Sequence, residues 1–374
     1  MKKKVIAAGH ICIDITPTIV SREVDKIQDI MIPGSLVNVK DADIHTGGSV
    51  ANTGLAMKLL GNDVALLGKI GNDAFGDMVY SIVDSYGGAD GLIRKDGEST
   101  SYSVVLAVPG IDRIFLHNPG ANDTFSADDI SSEMLEGTAL FHFGYPTLMK
   151  KMYENNGNEL VRLFRIVKEC GAATSLDLAA INPDSDAGRI NWEIILEKVL
   201  PYTDIFVPSI EELMFMLDRE KFDESRRKAG VGDFCEVLDI EKDIIPIADR
   251  CKQMGAKIVL IKCGVPGMYL STRGKEELSR LPDSIGLDTG AWEDISIFEK
   301  SYMVDKVISG TGAGDTSIAA FLTAILSGYG PEDCMHFATA EGASCVTAYD
   351  ALGGIRTLDE LKVMIDSGWE KMKG

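Results

Sequence analysis

Ser309-Gly310-Thr311-Gly312-Ala313-Gly314-Asp315 stands directly before an apolar run from Thr316 to Leu326. A turn this rich in glycine lets successive backbone N–H groups point at one spot without Cβ obstruction. At the start of a helix those donors join the positive end of the dipole, which makes an anion hole suited to phosphate. A carboxylate beside a phosphate repels it at rest, yet Asp315 there can take the proton of an attacking hydroxyl. On this stretch alone a plainer reading stays open: an acidic residue favoured by the helix dipole after a tight turn. The spacing is not the G-x-G-x-x-G of a dinucleotide fold, and no Gly-Lys-Ser/Thr of a P-loop follows.

The elements that must position this turn alternate. Apolar strands are expected at Val5–Ala8, Val64–Leu67, Ala139–Phe143, Thr174–Leu178, Asp204–Val207 and Lys257–Lys262, with another near 302–307. Helical spacing falls at 50–60, 74–86, 157–170, 191–199, 209–217, 244–254, 313–327, 331–347 and 358–366. Such alternation implies a mostly parallel sheet with helices on both faces. Two β-rich segments, about 10–46 and 96–118, interrupt it and could form a small accessory sheet; the second holds a hairpin around Pro109-Gly110-Ile111-Asp112. Residues 218–243 are dense in charge of both signs and read as a solvated surface insertion.

The 374 residues carry a net charge of −20, which argues against nucleic-acid and anionic-membrane partners. An anionic ligand must therefore be held by local features. The short apolar stretch after Lys2-Lys3-Lys4 is interrupted by Asp14, unlike a secretory leader, and no run nears the roughly 18 apolar residues of a spanning helix. Seven scattered cysteines without a C-x-x-C pair read as reduced thiols, so a cytoplasmic protein is expected. The five histidines lack paired metal-ligand spacing.

Gly310-Thr311-Gly312-Ala313-Gly314-Asp315, with Phe321-Leu322 after it, resembles the C-terminal signature of the PfkB/ribokinase-like carbohydrate kinases. Gly47-Gly48-Ser49-Val50-Ala51-Asn52, then Gly68-Lys69-Ile70-Gly71-Asn72-Asp73-Ala74-Phe75-Gly76, resembles the N-terminal one. Gly9-His10-Ile11-Cys12-Ile13-Asp14 is similar to the family's opening, with His10 in place of a more usual acid. Pro208-Ser209-Ile210-Glu211-Glu212-Leu213 is similar to P-N-x-x-E-L, and Lys262-Cys263-Gly264-Val265-Pro266-Gly267 to a nucleotide-side T-x-G-x-x-G loop. Ser209 and Glu212 read equally as an N-cap and capping box.

The resemblance covers about residues 5–355. It implies an α/β, doubly wound, mostly parallel sheet with a small β-sheet lid, one kinase domain over 1–374 with lid segments about 10–46 and 96–118. It also implies ATP-dependent phosphorylation of a sugar-like hydroxyl, with Asp315 as general base and Gly312, Ala313 and Gly314 as its anion hole. Asp14, Gly47, Gly48, Asn52 and Asn122 would hold the substrate. Lys262, Gly264, Gly267, Thr311 and Ser209 would face the nucleotide, and Glu212 would act on Mg²⁺ through water. Ser309 stands where a K⁺-binding Asp is usual, which puts a K⁺ requirement in doubt. Arg113 on the lid hairpin could meet a charged substrate group or be a plain exposed arginine. A homodimer through the lid is plausible. A nucleoside kinase and a catalytically silent nucleotide- or sugar-binding regulator remain as alternatives.

Overall fold

The structure is a computed structural model that describes residues 2–20, 23–24, 26–111, 114–230 and 232–372. Arg113 and the hairpin residue Asp112 lie outside the described residues. Fourteen strands are described: β1 (Lys4–Gly9), β2 (Cys12–Pro17), β3 (Ala42–Gly47), β4 (Asp63–Leu67), β5 (Lys69–Gly71), β6 (Ile93–Lys95), β7 (Tyr102–Leu106), β8 (Ile114–Asn118), β9 (Thr138–Gly144), β10 (Ala173–Leu176), β11 (Ile205–Phe206), β12 (Ile258–Lys262), β13 (Gly267–Thr272) and β14 (Ser296–Lys300).

Eight of them form one sheet in the order β14-β13-β12-β11-β10-β9-β1-β4. From β4 to β12 every pairing is parallel; β13 and β14 close the far edge antiparallel. Strands covered on both faces should be apolar throughout, and all seven residues of β9 are buried. Two hydrophobic layers flank the sheet. One contains Ile318, Phe321, Leu322 and Ala338 from helices Ala313–Leu326 and Pro331–Cys345. The other contains Leu160, Phe164, Ile195 and Leu213 from Lys150–Glu169 (broken at residues 154–157), Trp192–Val199 and Ile210–Leu217.

A separate four-stranded sheet has the order β3-β2-β7-β8, from the two segments expected to form it, and β5-β6 pair alone. Two expectations change. The strand near 302–307 is absent: β14 ends at Lys300, and past an isolated bridge at Tyr302 the chain runs irregularly to the glycine turn. β14 has polar ends and half-buried central residues, as suits an edge strand, whereas the apolar Val307 and Ile308 are exposed. The charged stretch 218–243 keeps the exposed, charged surface expected of an insertion, but it is ordered. It contains helix Arg219–Ala229, whose Phe222 meets Phe215 and Phe234 ring to ring under the guanidinium groups of Arg219 and Arg226.

Candidate active site

Gly312 starts helix Ala313–Leu326 with φ of 78°, a left-handed conformation open to glycine, and a side chain there would run into Ala351. The turn therefore packs backbone against backbone and delivers Asp315 to the first helical turn, where it is only 5% exposed. Its carboxylate is surrounded by neutral donors. Asn52 Nδ2 donates to Oδ2 at 3.1 Å, Thr53 Oγ1 donates to Oδ1 at 3.1 Å, and the Tyr145 hydroxyl lies 2.7 Å from both oxygens. Asn52 and Thr53 come from the wide turn Val50–Gly54 after Gly47-Gly48, and Tyr145 follows β9. The two glycine motifs, some 260 residues apart, thus meet at one carboxylate.

A second buried acid lies across the crevice. Asp177, just past β10, pairs through Oδ1 with Lys262 Nζ at 2.6 Å, while its Oδ2 is buried with no hydrogen-bond partner among the described residues. Burial pulls the Lys262 ammonium down, but Asp177, Glu212 and Asp315 outweigh that and raise it, so it stays charged. Burial pushes the Asp177 carboxyl up against the pull of Lys262. The Lys262 stem lies against Gly314: a Cβ on that glycine would sit 3.3 Å from Lys262 Cδ. Lys262 thus lies against the glycine turn that opens the helix. Ser209 caps helix Ile210–Leu217, and Glu212 Oε2 accepts from Ser209 N at 2.7 Å, so the capping box is real. Glu212 nevertheless acts electrostatically on Lys262, Asp177 and Tyr145.

The small sheet supplies the opposite wall. Its register aligns His45, Asp14, Ser103 and His117 in one row across β3, β2, β7 and β8, with Asp43, Thr16, Val105 and Phe115 in the next row on the same face. This face bounds a cavity of about 630 Å³ that also touches Asn52, Ser309, Gly310 and Thr311. Asp14 is mostly buried. Burial pushes its carboxyl up, against stabilisation from Cys12, Ser103, His117 and His45. Gly47 lets that carboxylate close in, since a side chain on it would strike Asp14; Gly48 likewise lies against His10. The reverse face carries Ile44, Ile15, Val104 and Leu116 in a row, with Ile44 and Leu116 exposed.

Asn122 does not join them. Fully buried, its amide clasps the Ile11 peptide, accepting from Ile11 N at 3.2 Å and donating to Ile11 O at 2.9 Å. Its place is structural support rather than cavity wall. Gly264 and Gly267 flank the loop after β12, where Asp233 of the charged insertion accepts from Val265 N at 3.2 Å. Sequence reasoning missed Tyr145, Thr53, Asp177 and the histidines of the small sheet. An acid ending a wholly buried parallel strand at the sheet's carboxyl edge was the available signal for Asp177; Tyr145 had none.

Comparison with known proteins agrees with this layout. The model of the pfkB family carbohydrate kinases matches residues 2–357. An "uncharacterized sugar kinase" of Archaeoglobus fulgidus is 27% identical over 82% of this chain and 100% of its own length. The 5-dehydro-2-deoxygluconokinase of Clostridium perfringens is 25% identical over 97% of this chain and 93% of its own. The structure of Arabidopsis thaliana ribokinase complexed with ribose and ATP superposes with a TM-score of 0.69 at 21% identity, covering 97% and 98% of the two chains. With that architecture, and with both glycine motifs converging on one buried aspartate, the chain belongs to the pfkB family of carbohydrate kinases.

Proposed function

We propose that the chain moves the γ-phosphate of ATP to a hydroxyl of a sugar or sugar-like small molecule, with Asp315 as general base. The observation that carries this is Asp315 itself: a buried carboxylate held by neutral donors, one turn inside a helix whose opening turn (Gly310, Thr311) lines a cavity shared with Asn52 and Asp14. The acceptor would lie against Asp14, Gly47, Gly48 and Asn52, under the His45–Asp14–Ser103–His117 row. Its hydroxyl gives its proton to Asp315 as its oxygen attacks the γ-phosphorus. The N–H groups of Gly312-Ala313-Gly314 and the Lys262 ammonium receive the charge that spreads over the phosphoryl oxygens. Thr311, Ser209, Gly264 and Gly267 complete the nucleotide side.

Asp177 Oδ2, buried and without a partner among the described residues, and the nearby Glu212 are hard oxygen donors of the kind Mg²⁺ takes with its water shell. Mg²⁺ bound there with ATP would neutralise charge on its terminal phosphates. Ser309 Oγ accepts from the Thr311 N–H at 3.2 Å and brings no negative charge to the turn, so the proposed turnover does not depend on K⁺. Replacing K⁺ by tetramethylammonium in the assay should leave the rate unchanged; a collapse would refute this.

The 1–374 chain acts in this reading as one kinase domain, with the small sheet as its lid. The exposed row Ile44-Ile15-Val104-Leu116 is the face through which two copies would pair, and Leu116→Glu should then shift a dimer to monomer in sedimentation; an unchanged mass would exclude that face. Seven unpaired cysteines, five of them buried, fit a reducing cytoplasm. The central test is Asp315→Asn. Loss of on the order of 10² or more in kcat is expected, with ATP affinity retained. Near-normal turnover would sink the assignment. ATP consumption over sugars, sugar acids, sugar phosphates and nucleosides then identifies the acceptor, and silence across that panel would favour a regulator instead.

A further inference from the structure

The phenol of Tyr145 occupies the catalytic carboxylate in an unusual way. Its oxygen is equidistant, at 2.7 Å, from Oδ1 and Oδ2 of Asp315, so a single proton faces both acceptors. Thr53 already donates to Oδ1 and Asn52 to Oδ2. An incoming hydroxyl finds the approach between the two oxygens taken. A hydroxyl that takes this approach must displace the phenol.

Tyr145 is the donor built to leave. Thr53 is fully buried and Asn52 only 8% exposed, whereas Tyr145 is half-buried. Its backbone sits at φ 65°, ψ 42°, the left-handed region that a bulky side chain rarely enters. Such a conformation persists where the surroundings enforce it. An alternative acceptor stands beside the ring. His10, 2% exposed, has both ring nitrogens without a hydrogen-bond partner among the described residues, and its ring centroid is 6.1 Å from that of Tyr145. Burial, with His117 nearby, brings its pKa down to about 3, so the imidazole is neutral and keeps a lone pair.

We infer that Tyr145 is a placeholder for the acceptor hydroxyl, an inference that rests on Asp315 as the general base. With the acceptor site empty, the phenol keeps Asp315 from taking a proton from water, and bound ATP is not hydrolysed. The acceptor hydroxyl displaces it, and the released O–H turns to His10. Hydrolysis and transfer share the same proton balance: the attacking oxygen, from water or from acceptor, forms the bond to phosphorus, its proton goes to Asp315, and ADP leaves. Only access to the carboxylate differs.

The test is ADP release from Mg–ATP with no acceptor present, in wild type and in Tyr145→Phe. The variant is expected to raise the ratio of acceptor-free hydrolysis to transfer roughly tenfold, with its Tm little changed. An unchanged ratio overturns the inference. That includes an equal fall in hydrolysis and transfer, which would make Tyr145 a positioning residue only. Adding Asp315→Asn to the variant should return hydrolysis to the starting level. Full transfer in Asp315→Asn alone would instead remove the base assignment, which separates the two failures. His10→Leu should slow transfer and leave acceptor-free hydrolysis low; unchanged transfer would remove His10 from the scheme.

Discussion

Two buried carboxylates face one crevice, and their surroundings are opposite in kind. Asp315 is held by an amide and two hydroxyls, all neutral. Asp177 is held by one charged partner, Lys262, and keeps one oxygen bare. Neutral donors orient a carboxylate without cancelling its charge, which suits a group that must accept a proton. An ammonium on one side and an open oxygen on the other suit a group that must share cations with a polyphosphate. In the proposed reaction the same residue type thus serves acceptor and donor sides, because the chain dresses it differently.

That contrast breaks most severely at Lys262. Lys262→Met leaves Asp177 buried and unpaired, and a loss of about 3–5 kcal/mol in unfolding free energy is expected. Denaturant titration checks it. Lys262→Met combined with Asp177→Leu should recover most of that stability while kinase activity stays lost. Recovery of activity would mean that Lys262 serves the fold alone.

The floor beneath both acids gives the next effect. His142 on β9 joins Ser49 at 3.3 Å to Ser175 at 3.0 Å, linking the Gly47-Gly48 turn to the strand that precedes Asp177. Burial, with Lys262 adding to it, lowers its pKa to about 3, below the roughly 6.5 of an unfolded histidine. Between those values the unfolded chain binds a proton that the native chain refuses, so stability falls as pH falls from 6.5 towards 3. From pH 6.5 to 5 this one site accounts for about 2 kcal/mol. Urea unfolding of His142→Gln at both pH values should show a shallower loss than wild type. Some slope will remain, because His10 behaves alike.

The mildest change sharpens the neutral side. Thr53→Val keeps shape and removes one donor to Asp315, and a fall of roughly fivefold in kcat, about 1 kcal/mol, is expected with KM for ATP unchanged. An altered KM for ATP with constant kcat would show that Thr53 serves the nucleotide instead.

The Asp315 side was largely legible in the sequence, because glycines leave a visible pattern wherever backbone must approach backbone. Gly312 and Gly48 both carried it, and Asn52 followed in the same motif. The Asp177 side was half legible: Lys262 stood out in its loop, but its partner comes from a strand 85 residues away and could be paired only in three dimensions. Tyr145 gave no signal, since a tyrosine before a proline reads as an ordinary turn and only the left-handed backbone aims it at the base. Asn122 was legible as a family residue, yet its amide serves the Ile11 peptide. The outer edge of the large sheet misled for another reason. Antiparallel edge strands such as β14 are not continuous apolar runs, so the apolar Val307 and Ile308 attracted the strand assignment.

The clasp between Asn122 and Ile11 has a mechanical reach. The chain enters the small sheet past Ile11 and leaves it for the last time before Asn122, and two hydrogen bonds rivet those crossings together. The chain also crosses after Gly47 and before Tyr102, so the clasp ties the first of four crossings to the last. Asp14 and His117, which follow and precede those tied crossings, are thereby held to a common frame.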